Sequence, residues 1–224
     1  YIGGVLGTIL SFFSIILIYA TYKNQVASST LQQFETTFFN LLQNQREILK
    51  SLKGFAQTQE IDLGLYEEKE KIADEFISAV AKQLYNCFDG QTLTYIKNGK
   101  EVKNVEENKG DNQIIIDTYY NDVYKGKEAE LGHYFRHLYH ILKYTHESNI
   151  VTKKKYIDIV QAQMSDDELY LVFYNGISKF GKEKLQPFLE EYGFLENIRS
   201  RGKIFDLHAS QFYPKTKFKY LTSQ

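Results

Sequence analysis

Residues 129–146, AELGHYFRHLYHILKYTH, predict one amphipathic helix that holds four of the chain's five histidines. With about 3.6 residues per turn, one face of this helix collects apolar side chains: Leu131, Phe135, Leu138 and Leu142. The opposite face, the His/Arg face, collects imidazole and guanidinium groups: His133, Arg136, His137 and His140. Surface helices usually carry Lys and Glu on the side that faces water. The His/Arg face is therefore the most unusual surface that the sequence predicts.

One candidate chemistry for the His/Arg face is RNA cleavage without a metal. A His general base and an Arg that stabilises phosphorane charge suffice for it, which makes Arg136 and His140 candidate catalytic residues. Helical RNases of the HEPN class resemble the chain in being small helical bundles with an Arg and a His. Their motif, however, places more residues between the two than the three found here. Arg201 and His208 are separated by six residues, but Gly202 argues against a helix there.

Metal binding and recognition are the other interpretations. The spacing of His133, His137 and His140 resembles helical zinc ligands, but no second His or acidic motif accompanies it, so neither a metal nor a cofactor is predicted. A recognition surface would use His133, His137 and Tyr139, with protonation near neutral pH tuning the affinity. Asn175, on or just beyond a predicted buried run, is either a helix-end cap or a further binding residue. The simplest alternative is a polar helix side that packs against other polar groups.

Residues 1–22 carry no charge and predict a transmembrane helix, because about 20 apolar residues span a hydrocarbon core. The segment has no basic start and the chain opens with Tyr rather than Met, which favours a retained span over a signal peptide. Lys23 is the only charge among the first thirty residues and slightly favours a cytoplasmic C-terminal side. The single cysteine, Cys87, fits the same reducing compartment.

Residues 23–55 predict a juxtamembrane helix with a heptad seam. Seam residues recur at alternating steps of three and four, with one polar interruption: Leu31, Phe34, Phe38, Leu41, Gln45, Ile48 and Leu52. One interpretation is a coiled-coil-like stalk through which the chain forms a homo-oligomer, with Gln45 setting the register. The alternative is that the same stripe packs against the chain's own helical domain.

Residues 56–224 predict a helical domain. At its start, residues 54–66 are typical of a connection, and a helix is predicted from Glu67. Residues 89–113 are rich in Gly, Asn, Lys and Glu. They predict either an insertion or a β-hairpin around Asn98-Gly99, a pair that suits a tight turn.

The second half of this domain contains a clear helix start. Ser165 and Glu168 match a capping box, and the apolar run after it should be the most buried helix of the domain. Residues 181–198 predict one more helix, kinked or started at Pro187. The basic, aromatic tail that follows has no predicted structure.

Composition limits the function classes. A formal net charge of −1 over 224 residues provides no global basic field, so nucleic acid is a partner that the charge does not support. The chain contains no Gly-rich phosphate loop and no G-x-S-x-G elbow. Without these motifs, the sequence does not identify an enzyme class.

Five motifs, in order, resemble the putative phage abortive infection protein family: GTILSFFSIILIYATY, QFETTFFNLLQNQREIL, GHYFRHLYHILKY, SDDELYLVFYNGIS and FLEEYGFLENI. The resemblance covers most of the chain, except residues 89–113 and the tail after about residue 200. It implies a bacterial antiviral protein anchored in the cytoplasmic membrane, which harms or halts the infected cell. It supplies no established catalytic set. Members usually carry two N-terminal spans and one is visible here, so a span preceding Tyr1 is an open expectation.

These patterns together predict an all-α protein: a transmembrane helix, a coiled-coil-like stalk and a cytoplasmic helical bundle. The expected function is anti-phage defence as a sensor or effector that works through oligomerisation and the His/Arg face. A phage component or another defence protein is the expected partner beside the membrane. The alternative function is an RNase-like effector that uses Arg136 and His140.

Overall fold

The computed structural model describes residues 2–59, 66–89, 94–97, 100–103 and 112–221. These residues are mostly helical, which confirms the all-α class. The helices are α1 Ile2–Ser51, α2 Ala73–Asp89, α3 Asn112–Tyr124, α4 Glu128–Glu147, α5 Lys153–Gln161, α6 Asp166–Ile177, α7 Gln186–Glu191 and α8 Lys203–Phe212. The strands are β1 Lys53–Gln59, β2 Tyr66–Ile72, β3 Thr94–Lys97 and β4 Lys100–Lys103, paired as two antiparallel hairpins.

Helix α1 is continuous over 50 residues, or about 75 Å. Its N-terminal half exposes many large apolar side chains, from Ile9 to Tyr22, whereas its C-terminal half is buried along one side. None of the helices in the described ranges has the length and apolar character that crossing a membrane requires. The predicted span of residues 1–22 includes Tyr1 and the side chains of residues 2–6, which lie outside the described residues.

The predicted heptad seam is largely buried within this chain. Five of its seven residues are buried: Phe34, Phe38, Gln45, Ile48 and Leu52. Leu31 is 42% exposed and Leu41 is half-buried. The ring of Phe34 stacks on Tyr144 of α4, with centroids 5.3 Å apart. This burial agrees with the interpretation in which the stripe packs against the chain's own helical domain. Self-association through the exposed edge of the seam stays a prediction.

The hairpin β3–β4 lies where Asn98-Gly99 predicted a turn, in antiparallel register from Thr94–Lys103 to Lys97–Lys100. The hairpin β1–β2 was not predicted, and the helix predicted from Glu67 begins instead at Ala73. Strand pairing outweighs the helix propensity of this charged segment. Gly54 permits the close approach of β1 to α2, because a Cβ at this position would lie 2.7 Å from the ring of Phe76.

Helix α6 forms the centre of the bundle, as the sequence predicted. Every residue from Leu169 to Ile177 is buried. Its start is the predicted capping box, in which Ser165 Oγ accepts from the Glu168 N–H and the Glu168 carboxylate accepts from the Ser165 N–H. Helices α2, α3 and α7 pack around it. Gly176 has no room for a side chain, since a Cβ would lie 2.4 Å from the Tyr213 hydroxyl.

The segment after α6 differs from the prediction. The helix predicted over residues 181–198 is wrong, because only the six residues of α7 are helical there and turns occupy most of the remainder. Pro187 lies at the first turn of α7, as its preset φ favours. Gly193, with φ +58°, follows the end of the helix. The tail, without a predicted structure, forms α8.

Two contacts hold the tail against α6. The Arg201 guanidinium pairs with Asp167 at 2.5 Å and lies 4.4 Å from the ring centroid of Tyr170. The Tyr213 hydroxyl donates to the Phe173 carbonyl at 2.9 Å. The C-terminal segment is therefore part of the folded domain.

If α1 belongs to the core, two adjacent phenylalanines should differ sharply in their effect on stability. Phe38 is fully buried and Phe39 is 49% exposed. We expect Phe38→Ala to lower the free energy of unfolding by about 3–5 kcal/mol through lost burial and a cavity. Phe39→Ala should change it by only about 0.5 kcal/mol. Urea unfolding of both variants measures this, and equal losses would contradict the packing of α1.

Candidate functional site

Helix α4 presents the His/Arg face as predicted. The four apolar residues of its inner face are all buried: Leu131, Phe135, Leu138 and Leu142. On the outer face, His133, Arg136 and His140 are exposed and His137 is half-buried. The 3.6-residue period of the sequence was therefore a sound guide to which side chains reach solvent.

The two candidate catalytic residues have different surroundings. The Arg136 guanidinium lies beside Gly132, where a Cβ would be 3.6 Å from it, an ordinary contact, but only 2.9 Å from the Tyr124 hydroxyl. Burial raises the pKa of the nearby Tyr124, and the positive charge of Arg136 partly offsets that rise. The ring of His140 lies edge-on to Tyr139, with centroids 5.3 Å apart, and Tyr139 in turn contacts Phe188. Both side chains are accessible on the same helix.

His137 is the histidine whose orientation the structure defines. Its Nδ1 lies 2.8 Å from the Oε1 of Gln45 on α1. An amide oxygen only accepts hydrogen bonds, so Nδ1 donates and the neutral ring carries its proton there. The Gln45 amide is itself oriented, because its Nε2 donates to the Tyr134 carbonyl at 3.4 Å. The Nε2 atom of neutral His137 is then an acceptor, and no hydrogen bond to it comes from the described residues.

The charge state of His137 follows from its surroundings. Burial lowers the pKa of His137 below its ordinary value of 6.5, and the neighbouring His133 and His140 lower it further. Each of those rings opposes a second positive charge when protonated. His137 is consequently neutral near pH 7 and can accept a proton or a hydrogen bond.

Tyr134 and Glu168 continue the polar contacts below the His/Arg face. The Tyr134 hydroxyl donates to Glu168 Oε1 at 2.5 Å, and both residues are buried. Burial, followed by the Glu168 charge, raises the pKa of Tyr134 well above its ordinary value, so the phenol stays protonated. Glu168 thus serves both the capping box and a contact between α4 and α6.

A cleft opens beside these polar groups, between α1 and the helices α4 to α6. Its empty volume is about 310 Å³, including the space open to solvent. The lining residues are Leu42, Gln45, Arg46, Leu49, Tyr134, Leu138, Val160, Gln163, Met164 and Glu168. Gln45 and Tyr134 belong both to this cleft and to the contacts that orient His137.

Asn175 is not part of the His/Arg face. It is buried in α6, and its amide donates to the hydroxyl of Tyr120 on α3 at 2.9 Å. The helix continues past it to Ile177, and Ser178 is the C-terminal cap. Its side chain therefore joins two helices in the interior instead of capping an end.

The alternative pair, Arg201 and His208, is also built into the interior. Gly202 precedes α8 and the helix does form, but Arg201 is paired with Asp167. His208 is fully buried, with Nδ1 3.1 Å from the Tyr174 hydroxyl, and its Nε2 has no hydrogen-bond partner among the described residues. Burial lowers the pKa of His208 from 6.5 to about 4. The structure therefore does not present His208 as an accessible base.

Within one chain, the described ranges contain no arrangement of side chains suited to bind a metal ion. No group of three or more His, Cys, Asp or Glu residues there is placed to hold an ion. His146, the fourth histidine of α4, contacts the Tyr192 hydroxyl at 2.9 Å and the Glu191 carboxylate at 3.5 Å.

The family model described as putative phage abortive infection protein matches residues 126–202. Over these residues, the match supports the family that the motifs indicated. The matched segment contains α4 to α7, and hence the His/Arg face, Tyr134 and Glu168, whereas Gln45 and Arg46 precede it. No curated protein and no solved structure shows a significant match to the chain.

Three residues near the His/Arg face were not recognised from the sequence as site residues. Tyr134 and Glu168 lie in the segment that the family model matches, and Arg46 lies in α1. Glu168 was identified only as part of a helix cap, and Tyr134 and Arg46 were not identified as site residues. One signal was available: Tyr134 lies on the buried side of α4, where its hydroxyl needs a partner. The identity of that partner, 34 residues away, depends on tertiary packing.

The lowered pKa of His137 can be tested on its neighbours. In a His133→Gln, His140→Gln double variant, we expect the pKa of His137 to rise part of the way toward 6.5. Two rings that lower the pKa of His137 are gone, but burial, the largest cause, remains. Imidazole NMR titration measures this pKa, with His146→Gln as the control substitution. An unchanged pKa in the double variant would show that the three rings do not interact.

His208 should make the fold sensitive to acid. Its pKa is about 4 when folded and 6.5 ordinarily, so the unfolded chain binds a proton that the folded chain does not. Stability is fully present above pH 6.5 and falls as the pH drops toward 4, by roughly 3 kcal/mol. Urea unfolding across this range should give a smaller loss for His208→Gln than for the exposed control His140→Gln. Equal losses would contradict the burial of a neutral His208.

Proposed function

We propose that the chain is a membrane-associated sensor or effector of abortive infection, which self-associates and recognises a partner through the His/Arg face. The family match over residues 126–202 supports the role in phage defence. The observation that carries the rest is the continuity of α1, whose first half is apolar and exposed and whose second half packs on α4. We expect a movement of the exposed half of α1 to be transmitted along the helix to its contact with α4.

The exposed half of α1 supports an association with the membrane. Its large apolar side chains form a surface that water would solvate poorly: Ile9, Leu10, Phe12, Phe13, Ile15, Ile16, Leu17, Ile18, Tyr19 and Tyr22. Such a surface is stabilised by lipid, by other copies of the helix, or by both. We propose the bacterial cytoplasmic membrane as its location, with the helical domain in the cytoplasm.

The His/Arg face supports recognition because its accessible groups suit an anionic or hydrogen-bonding partner. The guanidinium of Arg136 offers several N–H donors in one plane. Neutral His137 offers an acceptor nitrogen, because its hydrogen bond to Gln45 determines the tautomer of the ring. A phage component or another defence protein is the proposed partner. A nucleic-acid partner would use the same groups locally, without help from the overall charge of −1.

An RNase-like effector is the second candidate function. Arg136 and His140 are accessible on one helix face, and Nε2 of neutral His137 is suited to accept a proton. This geometry adds His137 to the two residues that the sequence indicated. Hydrolysis of RNA by the purified chain would distinguish this function from recognition.

Protection of bacteria against phage tests the proposal with variants of the His/Arg face. We expect Arg136→Ala and His137→Ala each to lose protection, because both remove groups that face the partner. Lys143→Ala, on the same helix, should protect like the parent. Plaque counts measure protection, and circular dichroism verifies folding. Full protection by both variants would leave the His/Arg face without a role.

The same assay tests α1. Phe13→Asp and Leu17→Asp place charges in its exposed apolar half, so we expect loss of both protection and membrane sedimentation. Gln43→Asp, on the exposed side of the second half, is the matched control. Leu31→Asp tests self-association without disturbing the core that Phe38 occupies, and cross-linking measures it. Membrane sedimentation by the Phe13 and Leu17 variants at the parental level would contradict the proposed anchor.

A further inference from the structure

We propose that His133 and His137 bind Zn²⁺ together with the same two histidines of a second copy of the chain. Each copy would supply two imidazole nitrogens, and the two pairs would complete a tetrahedral site between two α4 helices. The inference goes beyond the proposed function, and it does not rest on the role in phage defence.

The two histidines are spaced for a metal ion. They lie four residues apart on α4, and residues at this spacing are neighbours on one helix face, with Cβ atoms about 5–6 Å apart. Two histidines at the same spacing bind zinc in the helical H-E-x-x-H motif. His133 is exposed and His137 is half-buried, so the pair lies at the outer surface of α4, where an ion can reach it.

The contact between His137 and Gln45 has the form of the outer hydrogen bond at metal sites. A histidine that binds a metal almost always donates its other ring N–H to an acceptor, which orients the ring and fixes its tautomer. Here His137 Nδ1 donates to Gln45 Oε1 at 2.8 Å, and the Gln45 amide in turn donates to the Tyr134 carbonyl. Nε2, the atom that would bind the metal, accepts no hydrogen bond from the described residues.

The surroundings of the pair suit a metal that prefers nitrogen ligands. The guanidinium of Arg136 lies beside Gly132, about 140° around the helix axis from His137, so its charge is directed away from the ring. Among the described residues, no carboxylate forms an ion pair with either histidine. Imidazole ligands suit Zn²⁺, whereas Mg²⁺ and Ca²⁺ take oxygen ligands.

One chain provides only part of such a site. Structural zinc sites have four protein ligands and catalytic sites have three, so two histidines complete neither kind. No group of three or more His, Cys, Asp or Glu residues in the described ranges is placed to hold an ion. Two copies related by a two-fold axis present the same patch to each other. The second His133 and His137 pair therefore supplies the two missing ligands.

A metal titration of the full chain in mild detergent tests the proposal. We expect calorimetry to show one Zn²⁺ bound per two chains and no binding of Mg²⁺. Co²⁺, used in place of Zn²⁺, should show the strong visible absorption of a tetrahedral ion. Saturation at one Zn²⁺ per chain, equal binding of Mg²⁺, or the weak absorption of six-coordinate Co²⁺ would each overturn the proposal.

Variants then locate the site. His133→Gln and His137→Gln should each weaken zinc binding at least about a hundredfold, because each removes two ligands from the shared site. Gln45→Met removes the acceptor that orients His137 and should weaken binding about tenfold. The controls His146→Gln on α4 and Gln43→Met on the exposed side of α1 should bind like the parent.

Circular dichroism verifies the folding of each variant. Parental zinc affinity in His133→Gln or His137→Gln, or an equal loss in His146→Gln, would overturn the proposal. Parental affinity in Gln45→Met would overturn the role given to its hydrogen bond.

Discussion

The contact between the second half of α1 and α4 is the constraint on which the rest of the structure depends. Phe34 and Phe38 pack into the aromatic cluster of Tyr144 and Tyr156, and the Tyr156 hydroxyl donates to Glu35 at 2.6 Å. Helix α1 is continuous over its 50 residues, so this contact also determines the direction in which its exposed first half leaves the domain.

Gln45 shows how one polar residue in an apolar seam can organise a site. A buried amide without partners would destabilise the fold, so its hydrogen bonds must be made inside the protein. Those bonds go to His137 and to the Tyr134 carbonyl, both on α4. The same residue that the heptad pattern suggested as a register device between chains thus acts between two helices of one chain. It determines the tautomer of a histidine on the His/Arg face.

The sequence was informative wherever a structure depends on neighbours along the chain. The two faces of α4, the Ser165–Glu168 capping box and the antiparallel pairing of β3 with β4 all follow from local periodicity or turn chemistry, and all were confirmed. The β1–β2 hairpin was missed because pairing between strands outweighed the local preference of a charged segment for helix. The seam of α1 was recognised as buried, but periodicity does not reveal which surface covers it.

The candidate site, too, could be predicted only where it depends on neighbours along the chain. That Arg136 and His140 reach solvent follows from the helical period alone. The contacts that give the site its chemistry join residues far apart in the chain, Gln45 with His137 and Tyr134 with Glu168, and only packing brings them together. Gln45, Tyr134 and Glu168 each have a clear local role, as a seam amide, a core aromatic and a helix cap. Each therefore acquires a second role through the packing of the folded chain.

The two Arg and His pairs also bear on which function the fold favours. Arg201 and His208 have the wider spacing, but the arginine is paired with Asp167 and the histidine is fully buried. Arg136 and His140 are accessible, but three residues separate them. Spacing and accessibility therefore do not coincide in either pair, whereas a recognition surface requires accessibility alone. This asymmetry is the physical reason to prefer recognition over cleavage as the use of the His/Arg face.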